Sequence, residues 1–251
     1  MDSCRLKKAV VIKLGGSVLV DADSYGQASR FIVRRLHRCA EERFVVVVSA
    51  QEGFTDELEE LARGITSHPN PRTLDLLWST GEMRSVAFLT LHLEELGVAA
   101  VGLNVHETGL RLNGIDEVGF VRTEIEKLVG EHSVVVVPGF FGTHNGGAIR
   151  SLGRGGSDLS AVVLANGLDA SRCELIKDVA GYFDEDPHSH RDAVHLPQLS
   201  YQRALKMADN GCDLIQPRAL EAARRAGLCL VVRSMDDNAP ASIVSDDGVI
   251  R

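Results

Sequence analysis

Six short apolar runs without polar alternation constrain the fold of this chain more than any other feature. They occupy residues 9–14, 44–50, 98–103, 134–138, 173–176 and 228–232. Most are rich in β-branched residues, as in AVVIKL and VVVVP. Strands that are buried on both faces of a parallel sheet have this pattern, whereas half-solvated strands alternate apolar and polar residues. The runs therefore predict the central strands of a mainly parallel sheet.

Helical patterns separate these runs, at residues 25–42, 55–65, 72–97, 199–211 and 217–228. We expect Thr55 to cap the second helix, and a break in the third near Ser79–Gly81. Ser200 and Gly211 should begin and end the fourth helix, and Gly227 should end the fifth. Strands that alternate with helices along the whole chain predict the α/β class and a three-layer αβα sandwich.

Composition restricts the possible partners and the compartment. The 251 residues are 44% hydrophobic and 25% charged, which suits one large α/β domain. A net charge of −8 without basic runs argues against nucleic acid as a partner. The five cysteines are scattered and form no C-x-x-C motif, which predicts reduced thiols in the cytoplasm. The apolar runs are far shorter than the roughly 20 residues of a membrane span, so no membrane partner is expected.

KLGGS, residues 13–17, follows the first predicted strand directly. Glycines at a strand end allow backbone N–H groups to approach an anion, and Lys13 beside them would suit a phosphate. The Walker motif is absent. The alternative is a tight turn with a solvated lysine.

SAQEGFTDEL, residues 49–58, links the second strand to a helix, and STGE, residues 79–82, lies in the following helical stretch. Hydroxyl groups of Ser49 and Thr55 could hold an anionic group at the helix N-terminus, although capping by Thr55 alone is the simpler interpretation. Glu82 either faces solvent or binds a cation.

SLGRGGSDLSA, residues 151–161, carries opposite charges in a glycine-rich loop. Arg154 can bind a carboxylate with two hydrogen bonds, and Asp158 can accept from an ammonium group. Together with Glu82 they match the charge pattern of a free amino acid. The alternative is a turn in which Ser157 or Asp158 caps the next helix, and both descriptions can hold together.

IKDVAGYFDEDP, residues 176–187, predicts a strand, a turn and a second short strand. Its acidic and aromatic residues could line a nucleotide pocket, or they could belong to a plain hairpin. HSH, residues 188–190, has no partner cluster, so we expect a solvated loop and no metal site made by the protein alone.

The order of these motifs resembles that of aspartokinases in the amino acid kinase superfamily. The resemblance covers about residues 8 to 246, and SLGRGGSDLSA and LSYQRAL…QPRALEAA carry it most specifically. It implies an αβα sandwich around a mainly parallel sheet of about eight strands. It also implies Mg²⁺-dependent transfer of the ATP γ-phosphoryl group to the side-chain carboxylate of L-aspartate. The implied organisation is a single domain over 1–251, with an amino-acid lobe (about 1–170) and a nucleotide lobe (about 171–251), that forms a homodimer.

The resemblance also implies roles for individual residues. Lys13 would stabilise the transferring phosphoryl group, and Asp158 would orient the lysines of the site. The implied substrate-binding residues are Ser17, Thr55, Glu82, Arg154 and Ser157. The implied nucleotide-binding residues are Gly15, Gly16, Ser49, Lys177, Asp178, Phe183, Asp186 and His188.

Departures from the aspartokinase pattern concentrate on the nucleotide side. Lys177, Phe183 and His188 stand where the family has threonine, tyrosine and arginine. Asp213 stands where the family has a phosphate-contacting lysine, and Gln216 where it has a histidine. We therefore hypothesise that the lysine gained at 177 compensates for the one lost at 213; the alternative is a weakened ATP site. KLGGSVL is closer to the isopentenyl phosphate and uridylate kinases.

Regulation and the substrate are the remaining expectations. No regulatory ACT domain follows the kinase motifs in this sequence, so we expect no feedback inhibition by lysine or threonine through this chain. A separate regulatory or pathway partner remains open. The alternatives to an aspartate kinase are a kinase of another small amino acid or carboxylate, and a non-catalytic amino-acid-binding relative.

Overall fold

The computed structural model describes residues 9–114, 117–121 and 125–246. In these residues the strands are β1 (Ala9–Leu14), β2 (Arg43–Val48), β3 (Ala100–Gly102), β4 (Leu110–Leu112), β5 (Val118–Phe120), β6 (Val134–Pro138), β7 (Phe141–His144), β8 (Ala148–Ser151), β9 (Cys173–Ile176), β10 (Gln198–Leu199), β11 (Leu230–Arg233) and β12 (Ser242–Val244). The α-helices are α1 (Ala22–Arg38), α2 (Phe54–Ile65), α3 (Pro71–Glu95), α4 (Ile125–Glu131), α5 (Gly156–Gly167), α6 (Tyr201–Asp209) and α7 (Pro217–Arg225).

The main sheet has eight strands in the order β10-β12-β11-β9-β1-β2-β6-β3. Every neighbouring pair is parallel except β11 and β12. All six apolar runs form strands of this sheet, so the prediction of a mainly parallel sheet of about eight strands is confirmed. A second sheet, β5-β4-β7-β8, was missed because its strands have only three or four residues.

Helices cover both faces of the main sheet. Alternate residues of β1, such as Val10 and Ile12, pack with α1 and α3. The intervening residues, such as Val11, belong to a core that includes residues of α4, α5, α6 and α7. Because both faces are covered, the strands carry apolar residues without alternation. The three-layer αβα sandwich is confirmed. In the described residues, no helix is long and apolar enough to span a membrane.

Two predictions about the helices are wrong. The stretch predicted to break near Ser79–Gly81 is one continuous helix, α3. Gly81 is needed there for close packing, because a Cβ atom at this position would lie 3.0 Å from the Ala50 Cβ. Thr55 is not a cap, since α2 begins after Gly53, whose φ of 75° is left-handed and which makes no side-chain capping bond. Thr55 instead lies in the first turn of the helix.

The predicted ends of the last two helices are confirmed. The Ser200 hydroxyl accepts a hydrogen bond from the Arg203 N–H, which caps α6. Gly211 follows α6 with a φ of 96°, and Gly227 follows α7 with a φ of 58°. Both values favour glycine, as expected of residues that terminate helices.

Candidate active site

Four strands of the main sheet end at the same level. Leu14 pairs with Val48 and with Ile176, and Val48 pairs with Pro138, so these last residues of β1, β2, β9 and β6 form one row. The motifs that follow the strands, which begin at Gly15, Ser49, Gly139 and Lys177, therefore meet at one edge of the sheet. Ligands of parallel α/β sheets bind at this edge.

Lys13, Asp158 and Lys177 form a buried ion cluster at this edge. The Lys13 Nζ lies 2.8 Å from Asp158 Oδ1, and the Lys177 Nζ lies 3.1 Å from Oδ2. Strand parity explains the meeting, because Lys13 and Lys177 are in phase with Val11 and Leu175, which face the α5 layer. Asp158 approaches from the first turn of α5. The two lysines, which are far apart in sequence, therefore share one carboxylate.

The cluster carries one net positive charge in a nearly dry environment. Burial alone would raise the pKa of Asp158. The charges and hydrogen bonds of Lys13 and Lys177 outweigh this effect, so the pKa lies below its ordinary value. Burial, together with repulsion from Lys13, lowers the pKa of Lys177, and Asp158 opposes that shift. Helix α5 also points its N-terminus here without a side-chain cap, so neither Ser157 nor Asp158 caps it. A cationic cluster at a helix N-terminus favours an anionic ligand.

The glycines of KLGGS leave room for the Lys13 amine. A Cβ atom at Gly15 would lie only 2.8 Å from Lys13 Nζ, so any larger residue would push the amine away. Gly16 begins a short 3-10 turn that ends at Val18, and Ser17 is exposed on this turn. Ser49 is half-buried at the end of β2. Lys13 is therefore not a solvated lysine beside a turn.

Glu82 is a buried carboxylate with one satisfied oxygen. Its side chain points inward from α3, and the residue is only 3% exposed. Oε1 accepts a hydrogen bond from the Ala50 N–H at 3.2 Å, while Oε2 is buried and has no hydrogen-bond partner among the described residues. Burial raises the pKa of Glu82 to about 7. This geometry excludes the solvated face and fits a carboxylate that receives a cation.

Arg154 is exposed on the loop that leads into α5, two residues before the helix begins. It sits between Gly153 and Gly155, whose φ values of 75° and 72° turn the chain sharply before α5. Its guanidinium group makes no hydrogen bond or ion pair with the described part of the chain. Ser157 is buried one turn further on, 8% exposed, and faces Gly139. Thr55 is half-buried at the start of α2.

The predicted nucleotide side is more open. Within residues 177–187, all of which the structure describes, there is no second strand but only an isolated bridge from Phe183 to His195, so that part of the prediction is wrong. Asp178, Asp186 and His188 are exposed. The Asp186 carboxylate accepts from the His188 N–H at 3.0 Å and thereby shapes its own loop. HSH is solvated, as expected.

Comparison with known proteins identifies the family. The family model described as "Amino acid kinase family" matches residues 8–234. The chain belongs to the amino acid kinase family. It is 35% identical to an aspartokinase of Geobacillus stearothermophilus, over 95% of this chain and 59% of that protein. It is 37% identical to an aspartokinase of Thermus thermophilus, over 94% of this chain and 59% of that protein. The chain thus spans about 59% of the length of these relatives.

Solved structures of this family have the same architecture. An aspartate kinase from Synechocystis superposes with a TM-score of 0.84 and 36% identity, covering 94% of this chain and 40% of that one. E. coli aspartokinase III in complex with aspartate and ADP superposes with a TM-score of 0.80 and 25% identity, covering 95% and 64%. A uridylate kinase from Archaeoglobus fulgidus, 19% identical with a TM-score of 0.69 and coverage of 94% and 99%, shares the fold alone.

Phe140, which packs at the start of α5, was not singled out by the sequence analysis. Its φ of 65° is left-handed, which is unusual for a residue with a bulky side chain. Its N–H donates to Ser160 Oγ at 3.1 Å, and its ring lies against Gly156 at the start of α5. The glycines of GFFG, residues 139–142, indicate a turn, but nothing in this motif shows which residue adopts the left-handed conformation.

Proposed function

We propose that this amino acid kinase transfers the γ-phosphoryl group of ATP to the side-chain carboxylate of L-aspartate and forms 4-phospho-L-aspartate. The observation that carries the proposal is the cluster of Lys13, Asp158 and Lys177, which stands at the same sheet edge as the unsatisfied Glu82 oxygen. One element suits a phosphate and the other an ammonium group. E. coli aspartokinase III, which is similar to this chain, was crystallised with aspartate and ADP.

On the amino-acid side, Glu82 receives the α-ammonium group in this proposal. The unpartnered Oε2 would gain an ion pair there, which offsets its burial. Arg154 binds the α-carboxylate with two hydrogen bonds. Ser157, Thr55 and Ser17 complete the substrate pocket, and residues 1–170 make up most of this lobe.

On the phosphate side, Lys13 and Lys177 stabilise the charge of the transferring group. An oxygen of the substrate carboxylate attacks the γ-phosphorus, the bond to the bridging oxygen breaks, and ADP leaves with that oxygen. Asp158 holds both ammonium groups in place before the reaction, so little reorganisation is required. No covalent intermediate with the enzyme is needed.

The other proposed nucleotide contacts come from the strand ends and from the segment after β9. Backbone N–H groups of Gly15 and Gly16, with Ser49, cradle phosphate oxygens. Asp178, Phe183, Asp186 and His188 lie along the segment that follows β9, in the lobe that begins near residue 171. The position of Lys177 supports the compensating swap, because its amine already reaches the carboxylate that Lys13 binds.

Mg²⁺ fits this arrangement as an ion carried by the nucleotide. The two oxygens of Asp158 already face Lys13 and Lys177, and the described residues contain no group of three acidic, histidine or cysteine side chains that could hold a metal. Mg²⁺ commonly retains water and binds phosphate oxygens with few protein ligands. When bound, it would neutralise part of the phosphate charge.

Exposed apolar residues support a homodimer formed through α2 and α3. Leu61 and Ile65 of α2 are 65% and 87% exposed, and Leu76 and Leu91 of α3 are 58% and 61% exposed. Apolar patches on helices commonly mark protein interfaces. Free cysteines at 39, 173, 212 and 229 are consistent with a reducing cytoplasm and a role in amino-acid biosynthesis there.

The proposal is tested by ADP release from the purified chain with Mg·ATP and a panel of amino acids. Hydroxylamine in the assay traps an acyl phosphate as a hydroxamate. We expect aspartate-dependent hydroxamate that disappears in Asp158→Asn and persists in Lys206→Ala, an exposed lysine on α6. Hydroxamate with a different amino acid would reassign the substrate. If the chain shows no turnover and does not bind ATP, the result would favour a non-catalytic amino-acid-binding protein.

A further inference from the structure

The loop that carries Arg154, residues 153–155, is held in position by hydrogen bonds that other segments make to the residues just before it. Its glycines fix the turn, but the described part of the chain records no bond that holds the Arg154 side chain. The segment just before it is fastened at three points instead. The Leu152 N–H donates to the Phe140 carbonyl at 2.8 Å, and the Leu152 carbonyl accepts from Arg218 at 2.8 Å. The third point is Ser151, the last residue of β8.

Asp75 of α3 holds Ser151. Its Oδ1 accepts a hydrogen bond from the Ser151 N–H at 3.2 Å, and its Oδ2 lies 3.3 Å from Arg150 Nη1. The Asp75 residue is only 6% exposed. A carboxylate is costly to bury unless its partners compensate for the lost water, so a carboxylate kept at this contact calls for an explanation.

Asp75 and Glu82 lie on the same face of one rigid helix. They are seven residues apart in α3, which corresponds to nearly two full turns and about 10 Å along the axis. Glu82 faces the site directly, whereas Asp75 fastens the strand end from which the Arg154 loop departs. Helix α3 therefore connects the Glu82 carboxylate to the strand end that precedes Arg154, and in the proposed function these two residues recognise the α-ammonium and α-carboxylate groups.

We propose that Asp75 is a positioning residue that sets amino-acid affinity through Arg154. The inference rests on the proposed function, because it requires Arg154 to bind the substrate. Asp75→Ala releases the Ser151 N–H, and the loop then samples positions that Arg154 cannot use. We expect the KM for the amino acid to rise by about 10- to 100-fold, because small misplacements of binding groups are costly. The KM for ATP should change by less than about twofold, since the bond lies on the amino-acid side.

The fold should tolerate this substitution. Asp75, Arg150 and Ser151 border a cavity of about 630 Å³, so truncation enlarges an existing space and allows water to reach the freed N–H. Asp75→Asn keeps an oxygen for Ser151 and should restore most of the affinity. Arg150→Met is the matched control, because it removes the ion pair but not the bond to Ser151. Should Asp75→Ala fail to fold, Asp75→Ser replaces it, since the shorter side chain cannot span the same distance.

A double-mutant cycle with Arg154→Ala tests the inference. The substrate is the amino acid that gives the fastest hydroxamate formation in the wild type. If Asp75 acts through Arg154, Asp75→Ala should lower kcat/KM by less than about twofold in the Arg154→Ala background. Penalties that add, or an equal rise in the KM for ATP, would overturn the inference and leave the kinase function standing. A wild type that neither binds nor phosphorylates any amino acid would overturn the proposed function, and this inference with it.

Discussion

The two sides of the proposed site, one for the amino acid and one for the nucleotide, are built in different ways. On the amino-acid side, Glu82 and Ser157 are buried and project from α3 and α5, whose backbones are fixed by packing on the sheet. On the nucleotide side, Asp178, Asp186 and His188 are exposed on a segment with only an isolated bridge. The amino-acid side is therefore preorganised, whereas much of the nucleotide side depends on short local bonds.

This difference predicts how strongly each side responds to substitution. The buried cluster of two lysines and one aspartate carries one net positive charge, and removing either lysine takes that charge out of a site where charges interact strongly. Exposed charges are screened by water and contribute little. Lys177 differs from the other residues of the open nucleotide segment. It begins that segment, but its amine is buried against Asp158 in the ion cluster. The largest effect is therefore expected at Lys177.

Lys177→Ala should abolish measurable turnover, with a loss of about 10³-fold or more in kcat, because a charge that stabilises the transition state is removed from a dry site. Steady-state ADP release checks this result. Lys206→Ala, which removes an exposed lysine of α6, should leave kcat unchanged.

The compensating swap is tested in the Lys177→Ala background. If Lys177 replaces the lysine lost at position 213, adding Asp213→Lys should restore part of the activity. Near-normal turnover of Lys177→Ala alone would refute the role of Lys177 and remove the link between the two sides.

The next largest effect is expected at Glu82, whose raised pKa determines how the KM for the amino acid changes with pH. Below pH 7, Glu82 takes up a proton and cannot pair with an ammonium group. The KM for the amino acid should therefore fall by up to about tenfold per pH unit as pH rises from 5 to 7, and level off above it. Glu82→Gln should raise the KM by about 100-fold and remove this pH dependence. A wild-type KM that does not vary between pH 5 and 7 would contradict the assignment.

Without ligand, the same ionisation of Glu82 should destabilise the folded protein as pH rises. The unfolded chain releases the Glu82 proton near pH 4.5, whereas the folded chain keeps it until about pH 7. The free energy of unfolding should therefore decrease across this window, by about 3 kcal/mol at most. Glu82→Gln should match the wild type at pH 4 and exceed it at pH 8, as measured by urea denaturation without ligand.

The sequence was sufficient for the parts of the fold that depend on local patterns. Unbroken apolar runs predicted β1 and β2, and glycines predicted the ends of α6 and α7. The break predicted near Gly81 failed, because Ala50 and Phe54, which come from another segment, pack where a side chain would be. Such compensation depends on tertiary contacts and leaves no local signal.

The sequence named Lys13, Asp158 and Lys177 as candidates but could not show how they are arranged in space. The order of motifs selected Lys13, Asp158 and Lys177, yet only strand parity and register bring the two amines to one carboxylate. Asp75 had no signal at all, since a carboxylate near a helix start ordinarily faces water. Its contacts with Arg150 and Ser151, on which the proposed role rests, form only when β8 packs against α3.

His188 gives the smallest expected effect and tests the open side directly. The resemblance to aspartokinases implies an arginine at this position, whereas the His188 side chain is 68% exposed and its Nε2 lies 3.7 Å from Asp178 Oδ2. His188→Arg should lower the KM for ATP by about two- to fivefold and change the free energy of unfolding by less than about 0.5 kcal/mol, because exposed charges contribute little. His190→Arg is the matched control, being 57% exposed and 3.8 Å from Glu185.

The gain at His188 should also disappear as salt increases, because exposed charges are screened within about 10 Å at 0.1 M ionic strength. Equal gains from both substitutions would indicate a general attraction of ATP to positive charge rather than a contact at position 188. A gain that persists in high salt together with a stabilised fold would mean that the segment is as preorganised as the amino-acid side. That result would remove the distinction between the two halves of the site.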